Sequence, residues 1–363
     1  MKRLLGSTYQ RYLSREVLIG TLMVLAAFLA LFGFFDLINE LQSIGKGSYG
    51  LQHALLYVLL TLPGRVYELM PIAVLIGALF SLSTLARHSE ITVLRAAGLS
   101  TRDLLLTLFR VAGLFALLTF LIGEFVAPPA ERVAQQLRLR AQGGVVAASD
   151  FRTGLWVKDE HSFVNVQTVS PEARLKGVRI YEFDDQRQLK SVSDAEEGEY
   201  LPPSSWRLTG VVQTRLEGNT SRVEKKGEVL WQSALNPDIL SVLLVVPEHM
   251  SVWHLTSYIK HLADNHQKTD RYEIAMWKKV VYPLAALVMV ALALPFGYTH
   301  NRVGGVSLRI FSGVMLGVFF HMLNGLFSNL GVINSWTPFS SAIAPSALFL
   351  LAAVVMIWWV ERR

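Results

Sequence analysis

The sequence contains no cysteine and few charged side chains. None of its 363 residues is cysteine, which excludes disulfides and thiolate chemistry, and only 17% are Asp, Glu, Lys or Arg. Three motifs of enzymes and nucleotide-binding proteins are also missing: the G-x-x-x-x-G-K-[ST] phosphate loop, the H-E-x-x-H metal motif and the G-x-S-x-G nucleophile elbow. The nine histidines are scattered without metal-ligand spacing. The sequence therefore predicts neither a catalytic centre nor a metal site in this chain.

The sequence contains several long apolar runs. Hydrophobic residues make up 52% of the chain. No Asp, Glu, Lys, Arg or His occurs in 17–35, 69–86 or 280–299, and 310–360 contains only His321. A helix needs about 20 apolar residues to cross a bilayer. We therefore predict an α-helical polytopic membrane protein with spans at 16–38, 57–84, 104–127, 276–298, 306–328 and 340–360.

The basic residues near the span ends predict the orientation of the chain. Cytoplasmic loops are enriched in Lys and Arg. Most of the basic residues near the spans fall on the side of the two termini: Lys2, Arg3, Arg11, Arg15, Arg87, Arg95, Arg102, Arg302, Arg309, Arg362 and Arg363. Both termini are therefore predicted to be cytoplasmic, and the long segment 128–272 to lie on the outer side. This distribution accounts for the net charge of +6 without a nucleic acid partner.

The segment 128–272 separates two membrane halves, 1–127 and 273–363. Short alternating or β-branched stretches such as "SFVNVQTV" and "WRLTGVVQT" follow one another, separated by Gly, Pro, Asn and Asp. This pattern predicts an inserted all-β domain, either a sandwich or an open barrel. An amphipathic helix is predicted at 251–264, with Val252, Leu255, Ile259 and Leu262 on one face. The strands alone leave open whether the domain is only a packed unit or contacts a ligand.

The stretch "TLARHSEITVLRAAGLSTRD" lies between spans two and three and is too charged to be a span. If residues 86–98 form one helix, Glu90 lies among the apolar residues on one face of that helix, with Arg87 three residues earlier. A buried carboxylate is costly unless it is paired. Either Glu90 pairs with Arg87 or the face meets a protein that supplies a cation. The alternative is an interfacial helix on lipid, with Arg87 and Arg95 near anionic headgroups.

Charged residues also gather at the outer ends of the spans. Charges at membrane depth are rare and mark functional sites by default. Asp36, Glu40, Glu68 and Glu124 are the acids of this group, and the basic residues Arg132, Arg138 and Arg140 follow span three. One hypothesis is that these groups pair and hold the spans together. The other is that they line a cavity for an anionic amphiphile, with arginines contacting phosphate.

Five motifs resemble the LptF/LptG permease family of the lipopolysaccharide export ABC transporter, and most closely its G-type subunits. They are "GKGSYG", "HSEITVLRAAGLS", "GEFVAPPAE", "GLWVKDEHSFVNV" and "DRYEIAMWKKVVYPL". The resemblance covers essentially the whole chain. The order of three spans, a β insert and three spans is also that of the family.

The resemblance implies a function, a fold and a set of partners. It implies a permease subunit in the bacterial inner membrane, with a jellyroll-like periplasmic domain at 136–250. Lipopolysaccharide would be the substrate. The implied partners are a related LptF-type permease, a cytoplasmic LptB-type ATPase dimer and a single-span LptC-type subunit. ATP and magnesium would be bound by the ATPase, with no cofactor in this chain.

The resemblance also implies roles for particular residues. The family's coupling helix corresponds to 85–98, where Glu90 is the acid that docks into the ATPase, with Arg87 and Arg95 as supporting contacts. The candidate substrate contacts are Arg138, Arg132, Arg140, Lys46, Asp36, Glu68 and Glu124. The segment "DLINELQSIGKG" departs from G-type subunits, because it has acids and only Lys46 where basic residues are expected.

One alternative from another functional class stays open. The chain could be a non-transporting scaffold or sensor that displays the β domain outside the membrane. That hypothesis predicts no ATPase partner and no cavity.

Overall fold

The structure is a computed structural model that describes residues 8–142, 155–159, 162–169, 174–184, 186, 188–202, 205–217, 220–233, 247–264, 267–298 and 306–362. Of the basic residues used to predict the orientation, Lys2, Arg3, Arg302 and Arg363 lie outside this part of the chain.

The first half of the chain is helical. Its elements are α1 (Thr8–Leu41), α2 (Leu51–Arg87), α3 (Glu90–Ala96), α4 (Thr101–Leu121), a π-helical turn (Ile122–Val126) and α5 (Ala127–Ala141). The helix α4, the π turn and α5 follow one another without a break, so span three extends well beyond its apolar part. Ser100 caps the N-terminus of α4: its hydroxyl accepts a hydrogen bond from the backbone N–H of Asp103 at 3.1 Å.

The last third of the chain is helical as well. Its elements are a 3-10 turn (Pro247–His249), α6 (Val252–Asp264), α7 (Asp270–Val281), a second 3-10 turn (Tyr282–Leu284), α8 (Ala285–Tyr298), α9 (Val306–Ile333) and α10 (Pro338–Glu361). Span four consists of α7, the second 3-10 turn and α8, where Pro283 lacks the N–H that an unbroken helix would use.

All six predicted spans are confirmed as helices long and apolar enough to cross a membrane. Each helix is longer than its predicted span, because polar residues at the ends continue the helical hydrogen bonding beyond the apolar core. The α2 and α8 helices supply most of the buried side chains of the bundle. The other spans surround them and leave apolar faces exposed, as expected for surfaces that meet lipid or partner helices.

The inserted domain contains one antiparallel sheet of six strands. They are β1 (Leu155–Asp159), β2 (Ser162–Val169), β3 (Leu175–Phe183), β4 (Leu189–Leu201), β5 (Ser205–Glu217) and β6 (Thr220–Gln232). The all-β insert between two helical halves is therefore confirmed. Each strand pairs with its sequence neighbour, so these strands form a meander. The crossover connections that define a jellyroll are not present among the six described strands.

One face of the sheet carries an apolar cluster that extends from β1 to β5. Trp206, Leu208, Val164 and Val166 are at most 1% exposed. Alternation along each strand explains this, since residues two apart point to the same face. The opposite face carries exposed ion pairs such as Arg179 with Asp194 and Lys176 with Glu197.

The amphipathic helix predicted at 251–264 corresponds to α6. Leu255, Tyr258 and Leu262 are its buried residues, and they pack against Met250 and Ala275. The spacing of three and four residues brings them to one face of the helix.

The prediction of one continuous helix over 85–98 is wrong. The α2 helix continues through Arg87 and then ends, and α3 begins at Glu90. Between them Ser89 has a φ of 61°, which lies in the left-handed region and breaks the helix. Because of this break, the helical wheel that placed Glu90 relative to Arg87 does not apply.

Candidate functional site

Arg65 of α2 holds two acids near the end of the bundle where the turn 42–50 joins spans one and two. Its guanidinium donates to both carboxylate oxygens of Asp36 at 2.7 and 2.8 Å, and to Glu68 at 3.0 Å. The Asp36 side chain is only 18% exposed. A bidentate pair of this kind is strong and fixes the relative position of the two helices.

A second cluster forms around Glu40 at the end of α1. The Glu40 carboxylate is 7% exposed, accepts a hydrogen bond from the hydroxyl of Tyr49 at 2.8 Å and lies 3.3 Å from Arg138. The Arg138 guanidinium also lies 5.5 Å from the ring centroid of Tyr57. Burial, and then the hydrogen bond to Glu40, raise the pKa of Tyr49. The hydroxyl therefore remains protonated and donates to Glu40 at neutral pH.

The turn 42–50 packs against the last turn of α5. Ser48 donates from its backbone N–H and its hydroxyl to the carbonyl of Ala141, at 2.7 and 3.0 Å. Gly47 has a φ of 62°, and a Cβ atom there would lie 2.8 Å from the Ala141 carbonyl oxygen. These contacts explain the motif "GKGSYG" and bring the exposed side chains of Lys46 and Arg140 to the same end of the bundle.

The two clusters line a common cavity of about 320 Å³. Its ionisable side chains are Asp36, Glu40, Glu68, Glu131, Arg65 and His249. Even with Arg138 beside Glu40, carboxylates outnumber guanidinium groups. Both arginines are paired with acids, which favours the hypothesis that these charges hold the spans together. The cavity wall by itself is therefore a poor site for phosphate.

Glu124 and Arg132 both contact the start of α6. Glu124 lies in the π turn, and its carboxylate accepts a hydrogen bond from the backbone N–H of Val252 at 2.9 Å. Arg132 lies 3.4 Å from the His254 ring nitrogen, and His254 in turn contacts the hydroxyl of Ser251 at 2.5 Å. These two predicted substrate residues thus join span three to the segment that leads back from the sheet.

A second cavity of about 210 Å³ lies between α2, the π turn, α7 and α9. Its polar lining includes Glu68, Glu248, Lys278, Lys279 and His321. Lys279 is 5% exposed and donates to the backbone carbonyl of Met250. The residue Asn324 also lines this cavity and donates to the carbonyl of Phe320 in its own helix at 3.0 Å.

A third cavity of about 680 Å³ opens on the apolar face of the sheet. It is lined by apolar side chains such as Ile180, Leu208 and Val229, with Glu182 and Lys190 among the polar ones. Polar and apolar residues contribute about equally to this lining, so the cavity presents both kinds of surface to a ligand.

The other end of the bundle carries the short helix α3. The Glu90 side chain is 36% exposed, lies 4.0 Å from the His88 ring and interacts with the Tyr12 side chain of α1. Arg87 is exposed, whereas the Arg95 guanidinium lies 4.8 Å from the ring centroid of Tyr298. Val93 is 66% exposed, whereas Ile91 is buried and Leu94 is half-buried, so the apolar side chains of this helix are only partly covered.

The sequence interpretation missed Arg65, Glu131, His249, Lys278 and Lys279, which all line the cavities. One signal was available for Arg65, because a basic residue three positions before Glu68 is the spacing of a helical ion pair. The cavity positions of Glu131 and His249 depend on long-range packing and had no local signal. Within the described ranges, no group of three His, Asp or Glu side chains is arranged to hold a metal ion.

Comparison with known proteins agrees with the resemblance over the whole chain. The family described as "Lipopolysaccharide export system permease LptF/LptG" matches residues 11–359. The chain is 33% identical to the lipopolysaccharide export system permease protein LptG of Escherichia coli (strain K12) over 356 residues, which are 97% of this chain and 98% of that protein. It is 30% identical to LptG of Haemophilus influenzae over 361 residues, 98% of this chain and 99% of that protein. The chain therefore belongs to the LptF/LptG family of lipopolysaccharide export system permeases.

Proposed function

We propose that this chain is the G-type permease subunit of an ABC transporter that takes lipopolysaccharide from the outer leaflet of the bacterial inner membrane. It passes the lipid to a periplasmic bridge toward the outer membrane. The observation that carries this proposal is the family match from residue 11 to residue 359, which leaves no large part of the chain unaccounted for. In this role the chain is not itself an enzyme.

The number of spans and the basic residues near them support the proposed orientation. Six crossings put both termini on one face, α3 on the same face and the sheet on the opposite face. The basic residues at Arg11, Arg15, Arg87 and Arg102 assign the first face to the cytoplasm. The sheet is then periplasmic.

The exposed surface of α3 is the docking element for the cytoplasmic ATPase, which binds ATP and magnesium. Glu90 offers a carboxylate and Val93 an apolar side chain, and the exposed Arg87 lies just before them. A carboxylate next to an uncovered apolar side chain suits a protein groove with a basic residue better than a lipid surface.

The substrate contacts are divided between charge and apolar surface. Lys46 and Arg140 offer exposed cations for the phosphates of lipopolysaccharide at the outer end of the bundle, and Arg138 and Arg132, already in contact with Glu40 and His254, are the further candidates. The acids Asp36 and Glu68 pair with Arg65, and Glu124 accepts a hydrogen bond from the N–H of Val252. The apolar side chains of the sheet cavity, among them Ile180, Leu208 and Val229, are the candidate surface for acyl chains. The partners in this proposal are a related F-type permease and a single-span periplasmic subunit.

The test is purification from native membranes in mild detergent, with mass spectrometry of the bound proteins and lipids. Wild type should carry an ATPase, a related permease and lipopolysaccharide. The Glu90→Lys variant should lose the ATPase, while Glu16→Lys in α1 should keep it. A lone wild-type chain with ordinary phospholipid, under conditions that preserve other complexes, would instead support the scaffold or sensor hypothesis.

A further inference from the structure

The short helix α3 is anchored to its own chain by a few side chains only. Ile91 is its single buried residue and is 4% exposed. Glu90 reaches α1 through the side chain of Tyr12, and Arg95 reaches the end of α8 through Tyr298. Each of these contacts therefore carries a large share of the attachment of α3 to the bundle.

Ile91 fits against a residue that has no side chain. A Cβ atom at Gly297 would lie 3.2 Å from Cδ1 of Ile91 and 3.4 Å from Cβ of Leu82. Both distances are at the limit of van der Waals contact, so any side chain at position 297 would displace Ile91 or Leu82. The contact is close enough to transmit a displacement of α3 directly to α8.

Arg95 reinforces the same attachment one turn later. A guanidinium carbon 4.8 Å from an aromatic centroid is within the range of a cation–π interaction. The charged head of Arg95 is thus already engaged by Tyr298, the residue next to Gly297. Ile91 and Arg95 lie four positions apart, so they belong to one side of α3.

The helical segment that receives these contacts runs across the whole membrane. Span four comprises 29 residues from Asp270 to Tyr298, about 43 Å of helix at 1.5 Å per residue. Toward its other end, Lys279 donates a hydrogen bond to the carbonyl of Met250, a residue that lies between the sheet and α6 in the sequence. The contacts of α3 therefore lie at one end of a nearly continuous element whose other end touches the chain leaving the sheet.

We propose that Ile91 and Arg95 are positioning residues that fix α3 to Gly297 and Tyr298, so that α3 and span four move as one unit when the cytoplasmic partner moves. Arg95 then acts on Tyr298 within the chain, and it is not the supporting contact to the ATPase that the family resemblance implied. This inference rests on the proposed function, because α3 is taken there as the docking element.

A double-mutant cycle distinguishes the two roles of Arg95. The variants are Arg95→Gln, Tyr298→Leu and their combination, with Tyr298→Phe as the conservative control that retains the ring. Each is purified as the full complex and reconstituted in proteoliposomes. The readouts are retention of the ATPase and the amount of lipopolysaccharide released per ATP hydrolysed.

We expect Arg95→Gln and Tyr298→Leu each to lower release per ATP by about fivefold, the scale of one cation–π contact. The double variant should be no worse than either single one, and Tyr298→Phe should resemble wild type. The ATPase should stay bound in all four. Loss of the ATPase in Arg95→Gln with normal release in Tyr298→Leu, or additive effects, would overturn the inference.

The contact between Ile91 and Gly297 provides an independent test, in which a larger side chain at position 297 is compensated by a smaller one at position 91. Gly297→Val should lower release per ATP, and adding Ile91→Ala should restore part of it by making room for the valine. Failure of this rescue in a complex that still binds the ATPase would contradict the inference alone. Absence of any ATPase from wild-type preparations would contradict the proposed function, and this inference with it.

Discussion

Glu124 in span three and Lys279 in span four hold the same short backbone segment. Glu124 accepts a hydrogen bond from the N–H of Val252, and Lys279 donates one to the carbonyl of Met250, so each charge meets the backbone group of opposite polarity. Lys279 also lies 5.6 Å from the ring centroid of Tyr67. The backbone from Met250 to Val252, at the start of α6, is therefore held by two membrane helices.

The first prediction concerns the contact of Glu124 with Val252. Glu124→Ala removes the acceptor at the start of α6 and should speed hydrogen exchange of the Val252 amide by about tenfold, the equivalent of a lost helix cap. Glu124→Gln retains an acceptor oxygen and should exchange at nearly the wild-type rate. Exchange measured by mass spectrometry over 250–256 tests this. Equal exchange in both variants and wild type would show that Glu124 does not hold this amide.

The second prediction concerns Arg65. Arg65→Met leaves Asp36 and Glu68 without their guanidinium partner in a partly buried site. The free energy of unfolding should fall by about 2 kcal/mol, less than for a fully buried pair because Arg65 is 35% exposed. Arg102→Met, at an exposed position in α4, should change it by less than about 0.5 kcal/mol. Denaturant unfolding in detergent is the measurement, and equal stability of both variants would contradict the role of the pair.

The third prediction concerns phosphate contact at the turn 42–50. Lys46→Glu and Arg140→Glu should each reduce photo-crosslinking to lipopolysaccharide several-fold, and the wild-type signal should fall with added salt, because both side chains are exposed. Lys176→Glu on the sheet replaces a lysine that is paired with Glu197, and serves as the control with unchanged crosslinking. Unchanged crosslinking in all three variants would remove these residues from the substrate contacts.

The fourth prediction uses the absence of cysteine. A single cysteine can be introduced at Trp253, which is 79% exposed, or at Thr8, which is exposed at the start of α1. In intact cells with a permeabilised outer membrane, a membrane-impermeant maleimide should label Trp253→Cys at once. It should label Thr8→Cys only after the inner membrane is opened. The reverse order would invert the proposed orientation.

The six spans were predictable because membrane burial leaves a strong local signal. An apolar run of about 20 residues has few other stable states, and the absence of charge in segments such as 17–35 marked them directly. The strands were predictable as a group, because alternation along "SFVNVQTV" and its neighbours is local as well. How the strands connect into a sheet depends on pairing across distant residues, and here the sequence pattern did not distinguish a meander from a sandwich.

The site was predictable in its residue types but less so in its partnerships. The acids Asp36, Glu68 and Glu124 were identified because charge at membrane depth is unusual. Their partners Arg65 and the backbone of Val252 lie 29 and 128 positions away, respectively, from Asp36 and Glu124. Similarly, one residue in a left-handed conformation, Ser89, divided the predicted helix at 85–98, and no helical periodicity could indicate that.

The ion pair between Asp36 and Arg65 has a consequence for membrane insertion. Each of the first two spans carries a charge that would resist partition into lipid if that helix left the translocon alone. Only the turn 42–50 separates α1 from α2, so the two helices can emerge together as a hairpin with the charges already neutralised. Because the pair requires both helices, we expect span one to enter the bilayer with span two, as a hairpin, rather than as a single helix.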